Sequence, residues 1–154
     1  MAFGSFDVLH PGHLLYLKEA RKQGDMLVVV VARDRSIEMM KGSAPVFGER
    51  DRLGMVAALR IVDKAVLGNR IRDKTSRFDI LKKLKPGVVV LGYDQQAGEN
   101  ELREWILRNG LDAKVVRINK YADPSVYKSS VIKARLAGGK MRMDTRGRQR
   151  LHKT

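Results

Sequence analysis

The chain contains no cysteine. That excludes disulfides, thiolate metal ligands and a cysteine nucleophile. Long apolar stretches are missing too, and no run comes near the ~20 residues that cross a bilayer as a helix. The apolar stretch at the start is only Met1-Ala2-Phe3, so no secretory signal is expected and the reading is a cytoplasmic protein. Histidine is scarce, at 3 residues, and aromatic side chains make up only 6%. What is present is enough for one α/β domain: 154 residues, of which 44% are hydrophobic, a globular rather than a disordered composition.

Acidic residues are outnumbered, 17 against 31 lysines and arginines, for a formal net charge of +14. Such an excess invites a nucleic-acid reading. Its distribution weakens that reading. From Gly138 onward, Lys140, Arg142, Arg146, Arg148, Arg150 and Lys153 face a single acid, Asp144, and the rest of the charge is spread along helices. A pocket for nucleoside triphosphates needs cations as well. Weak polyanion contact by the tail is a secondary expectation.

Strand and helix patterns alternate along the chain. Helices are predicted over Pro11–Gln23 (with Gly24 as C-cap), Arg33–Met40 (with Asp34 as N-cap), Glu49–Leu59, Thr75–Leu84, Glu99–Arg108 and Ser129–Leu136. Strands are predicted at Met1–Phe3, Met26–Ala32, Val62–Leu67, Val88–Leu91 and Ala113–Ile118. The unbroken β-branched runs suit parallel strands covered on both faces. The first strand is barely long enough for the central place the pattern gives it. The expected fold is α/β, a single open parallel five-stranded sheet with helices on both faces, over residues 1–137. Residues 138–154 lack apolar periodicity and are expected to form a basic, extended or mobile tail outside that fold.

One segment carries more chemistry than the rest: Gly4-Ser5-Phe6-Asp7-Val8-Leu9-His10-Pro11-Gly12-His13. A strand end, a glycine-bearing turn and a helix start together make an anion site, because free N–H groups and the helix dipole point at it. His10 and His13 flank Pro11 and Gly12 and can donate hydrogen bonds to phosphoryl oxygens as charge develops there. A surface turn with incidental histidines is the bland alternative. Two of the chain's 3 histidines falling together here speaks against it.

Four further segments fall at the carboxyl ends of the predicted strands, where open α/β sheets bind ligands. Lys41, in Met40-Lys41-Gly42-Ser43, can reach phosphate as a mobile charge, or is an ordinary solvated lysine. Arg50 can chelate phosphate, or serve as helix-end charge. Asp94 and Gln95 are placed for ribose or base hydrogen bonds, or form a simple turn. Ser129 and Ser130 open the last helix, where hydroxyls and N–H groups hold phosphate, or merely cap it. Asp7 orients the histidine turn, approaches a metal, or caps the turn.

The first segment resembles the GxFDxxHxGH signature of the nucleotidyltransferase superfamily, whose members transfer a nucleoside monophosphate and release pyrophosphate. Ser129, Ser130 and Ile132 are similar to its second signature, SSTxxI, with Lys128 standing where a first serine is usual. Val31–Asp34, Val62–Gly68, Leu91–Gln95 and Arg117–Tyr121 look like the archaeal FAD synthases, and that likeness runs from Met1 to about Leu136. It implies a Rossmann-like nucleotidyltransferase fold and AMP transfer from ATP to FMN. It also implies nucleotide contacts from Gly4, Ser5, Phe6, His10, Pro11, Gly12, His13, Asp94 and Tyr121. His10 and His13 then act on the α-phosphoryl oxygens and Lys41 on the triphosphate, and Arg50, Ser129 and Ser130 hold the pyrophosphate end. A divalent cation, Mg²⁺ by this reading, accompanies the ATP, and a homodimer is expected. Three alternatives stay open: a glycerol-3-phosphate cytidylyltransferase, a heptose-phosphate adenylyltransferase, and a basic nucleic-acid-binding protein on an inactive fold of this kind.

Overall fold

The computed structural model describes residues 1–70, 76–93, 95, 98–119, 123 and 125–138, together with the backbone of 141–143 and 149–151. In chain order the elements are β1 (Ala2–Gly4), α1 (Pro11–Arg21), β2 (Val28–Val31), α2 (Asp34–Lys41), α3 (Glu49–Ala57) and β3 (Lys64–Leu67). A 3₁₀ turn (Ser76–Phe78) then leads to α4 (Ile80–Leu84), β4 (Val88–Leu91), α5 (Glu99–Arg108), β5 (Lys114–Arg117) and α6 (Ser129–Leu136). The five strands form one parallel sheet in the order β3-β2-β1-β4-β5, as the alternating pattern predicts.

Period-two alternation divides the core between the two faces of this sheet. Met1, Val30, Val89, Leu91 and Val115 point to one face and pack with Phe78, Ile80, Leu81, Leu102, Trp105 and Ile106 from the 3₁₀ turn, α4 and α5. Ala2, Val29, Val31 and Val90 point to the other and meet Leu17 and Ala20 of α1 and Val56 of α3. Val29, Val31, Val89 and Val90 are fully buried, each stabilising the fold by roughly 1.5–3 kcal/mol through area removed from water. Both edge strands begin with an exposed lysine, Lys64 and Lys114, a charge that discourages further strand pairing.

Several ends differ from the sequence reading. β2 starts at Val28 because the Leu27 N–H is taken by the Asp63 carboxylate (2.6 Å) rather than by a strand partner. α1 stops at Arg21 and is capped at Lys22, while the Gly24 carbonyl accepts from the Arg21 guanidinium (2.6 Å). α2 begins at Asp34 with Arg33 in the cap position. The helix expected over Thr75–Leu84 is broken into the 3₁₀ turn and a short α4; Thr75 itself lies outside the described residues. Past α6, Met141–Met143 pairs antiparallel with Gln149–Leu151 as β6 and β7, a two-stranded ribbon separate from the main sheet.

The central strand is short, and its pairing is uneven. β1 matches β2 over three residues but matches β4 only at Ala2↔Val90. Here the strand order reverses, which is where an open sheet opens a crevice. Side chains satisfy the backbone groups that the parting strands leave unpaired. The Phe3 N–H donates to the Tyr16 hydroxyl (3.3 Å), which donates to the Val90 carbonyl (2.9 Å). The Gln95 amide donates to the Phe3 carbonyl (2.9 Å) and accepts from the Gly92 N–H (3.0 Å). Replacing Gln95 by Leu strands the Gly92 N–H and leaves the Phe3 carbonyl only the longer contact from the Tyr16 hydroxyl (3.4 Å). Chemical denaturation should then show a loss of about 1–3 kcal/mol, and a midpoint equal to that of the unsubstituted chain would refute the role given to this amide.

Candidate active site

The crevice is a cleft of about 880 Å³ at the carboxyl ends of the strands. Its size is in the range of small-ligand sites. Gly4, Ser5, Phe6, His10, Gly12 and His13 line it, as do Lys41, Gln95, Ser129 and Ser130. Pro11, the exposed first residue of α1, does not line it, nor does Arg50, exposed on α3. Asp94 and Tyr121 lie outside the described residues.

The sequence of the first turn dictates its shape. Phe6 and Val8 both sit at positive φ, 49° and 56°. For a β-branched valine that conformation is strained, and surrounding contacts must hold it. The buried Phe6 ring lies so close under Gly4 that an added Cβ there would stand 2.7 Å from it. Gly12 is similarly required, since its Cβ would fall 2.9 Å from the His10 ring and 3.0 Å from the Tyr127 carbonyl. The two imidazoles stack, with centroids 3.8 Å apart and 24° between planes, and the Phe6 ring flanks His13 at 5.3 Å. His10 Nε2 lies 3.4 Å from the Ser129 hydroxyl, which joins the start of α1 to the start of α6.

Electrostatics keep His13 ready to donate. Burial, then the neighbouring His10 and Lys41, hold His13 down to about 3, with Asp7 pulling weakly the other way. His13 is therefore neutral near pH 7, and its buried Nδ1 has no hydrogen-bond partner. Such an atom is costly to leave unsatisfied and suits a site that a polar ligand completes. Lys41 reaches from the end of α2 to donate to the Ser5 hydroxyl (3.0 Å).

Asp7 is buried and serves as a tie. It accepts from the Val46 and Phe47 amides (2.9 and 3.2 Å) and pairs with Lys133 on α6 (2.5 Å). Desolvation pushes its carboxyl up, but Lys133 and the two amides together outweigh that and hold it below the usual carboxylate range. Of the three roles open for Asp7, fixing the turn and the loop after Lys41 is the one the geometry supports. Gln95 is likewise spent on the β1–β4 seam, with both ends of its amide engaged.

Sequence reasoning missed Arg52. Its exposed neighbour Arg50 drew attention by proximity to phosphate-binding patterns, but two residues on, some 200° around the helix, Arg52 points inward and is fully buried. Lys133 was also missed; its spacing from Ser129, one helical turn, is the signal that could have found it. Arg77 lines the far wall, over the Phe78 ring (4.6 Å) and paired with Glu101 (2.7 Å).

Stability should follow His13. Because its folded pKa lies below its unfolded value near 6.5, stability is complete above pH 6.5 and falls as pH drops toward 3. Asp7 adds a second loss of the same sign, once pH falls below the usual carboxylate range. Replacing His13 by Gln should flatten the decline between pH 6.5 and about 4 in denaturant titrations. An unchanged slope in that window would place His13 among ordinary solvated histidines.

The cytidylyltransferase-like family model matches residues 1–135. The FAD synthase of Aciduliprofundum boonei is 48% identical over 123 residues, 80% of this chain and 79% of that protein. The FAD synthase of Methanothrix thermoacetophila is 50% identical over 120 residues, 78% of this chain and 80% of that one. The crystal structure of the lipopolysaccharide core biosynthesis protein from Thermoplasma volcanium superposes with a TM-score of 0.71 at 45% identity, covering 79% of this chain and 96% of that one. With the paired histidines at the switch point of a parallel sheet, the chain belongs to the cytidylyltransferase-like nucleotidyltransferases.

Proposed function

We propose that the chain joins AMP from ATP to FMN, forming FAD and releasing pyrophosphate. The observation that carries this reading is the likeness to FAD synthases over about four-fifths of both chains, with the histidine turn intact within it. An FMN phosphate oxygen attacks the α-phosphorus. The bond from that phosphorus to the oxygen bridging to the β-phosphorus breaks, and pyrophosphate leaves with the electron pair. No covalent protein intermediate is needed, so the protein contributes positioning and charge stabilisation.

The sheet order suggests who faces whom. α6 follows β5 on one side of β1, while α2 follows β2 on the other. In-line displacement sets attacking and leaving oxygens on opposite sides of the phosphorus. Ser129, Ser130 and the α6 dipole then take the leaving pyrophosphate, and Lys41 faces the attacking FMN phosphate. His10 and His13, between them, donate to the α-phosphoryl oxygens. Arg50, turned to solvent, has no part in this arrangement.

Among the described residues no group of three or more His, Cys, Asp or Glu stands together to hold a metal, and Asp7 is already committed. A Mg²⁺ brought in with ATP would draw its ligands from triphosphate oxygens and water. Also among the described residues, no helix is long and apolar enough to cross a membrane. A homodimer, and polyanion contact by residues 138–154, belong to the same proposal.

Purified chain supplied with ATP and FMN should yield FAD and pyrophosphate in equal amounts. Faster pyrophosphate release from CTP with glycerol 3-phosphate, or from ATP with heptose 1-phosphate, would replace FMN with another acceptor. His10→Ala and His13→Ala should each lower kcat by roughly 10²–10³-fold with modest change in KM, as expected for loss of a positioned donor. Salt-sensitive RNA binding with no such loss would favour the nucleic-acid reading. Truncation after Ala137 removes residues beyond the family match, so FAD formation should stay within about twofold of the full chain. A folded truncation without activity would place the tail in the site.

A further inference from the structure

We propose that Arg52 is a positioning residue for the reaction, holding Lys41 against the histidine turn. The proposal rests on the adenylyl-transfer reading above. Arg52 does not line the cleft and is fully buried, so it meets no substrate. A buried guanidinium is tolerated only when its donors are satisfied. Here they are satisfied by four groups from three segments. Nε donates to the Phe47 carbonyl (2.9 Å), Nη1 to the Ser5 carbonyl, and Nη2 to the Ala32 carbonyl (2.8 Å) and the Asp34 carboxylate (2.7 Å).

Those groups surround the setting of Lys41. Asp34 is the first residue of α2 and Lys41 the last. Ser5 is the residue whose hydroxyl accepts from the Lys41 ammonium. Phe47 ends the loop that leaves α2, and its amide is also held by Asp7. Through one planar fork, Arg52 thus fixes the start of the helix that carries Lys41, the residue that Lys41 touches, and the loop that follows it. A lysine at position 52 keeps the charge but cannot reach these groups with a rigid fork.

The test is a double-substitution cycle on the full chain: unsubstituted, Arg52→Lys, Lys41→Ala, and both together, each assayed for FAD formation well below its thermal midpoint. Arg52→Lys should lower kcat about tenfold with a smaller change in the KM for ATP. In the Lys41→Ala background the same substitution should cost less than about twofold, because the residue it positions is gone. Equal cost in both backgrounds, or no cost in either, overturns the proposal. So does a Lys41→Ala variant with unchanged kinetics. Should Arg52→Lys fail to fold, Asp34→Asn takes its place, since it cuts the tie between Arg52 and α2. If the unsubstituted chain makes no FAD, the functional reading falls and the cycle is read on the calorimetric Kd for the phosphate acceptor (glycerol 3-phosphate or heptose 1-phosphate) that does release pyrophosphate. There, non-additivity again supports the positioning role and additivity refutes it.

Discussion

The cleft depends on how β1 is held. A strand of three residues sits at the middle of the sheet, fully paired to β2 and joined to β4 at a single register position. Parting of those strands opens the crevice, and it also threatens to leave buried backbone groups without partners. Tyr16 and Gln95 answer that threat with side-chain hydrogen bonds to Phe3, Val90 and Gly92. A longer ladder would have stabilised the sheet and closed the site.

Around that opening, the charged network is arranged to hold segments rather than to meet ligand. Arg52 gathers the exits of β1 and β2, and Asp7 ties the following loop and α6 to the histidine turn. The strain at Phe6 and Val8 is maintained by this enclosure. Facing the cleft are the start of α1, the start of α6, and two stacked imidazoles of which His13 is held neutral by burial. A neutral His13 avoids cation–cation repulsion with the ring stacked on it and still offers an N–H donor.

Much of the architecture was legible. Strand and helix alternation and the β-branched runs of β2 and β4 gave the parallel sheet, and the bounds of β4, α5 and α6 came out as read. The histidine turn and the serines of α6 were legible because their spacing belongs to local geometry. Arg52 was not, since a buried arginine in a charged helix looks the same as a solvated one until carbonyls from Ser5 and Ala32 arrive from elsewhere in the chain. The backbone role of Gln95 was not legible for a related reason: a polar residue at a strand's end can face ligand or backbone, and only the parting of β1 from β4 shows the second. The break before α4 also follows from tertiary packing, which buries Ser76 and Phe78 and overrides a continuous helical pattern.

The central claim is that His10 and His13 form a phosphate-facing pair in which His13 is neutral. Imidazole ¹⁵N spectroscopy across pH 5–8, with and without a non-hydrolysable ATP analogue, tests it most directly. The account predicts that His13 without ligand shows neutral nitrogens throughout that range, and that both rings shift when the analogue binds. A His13 that titrates near 6.5 and ignores the analogue would contradict it.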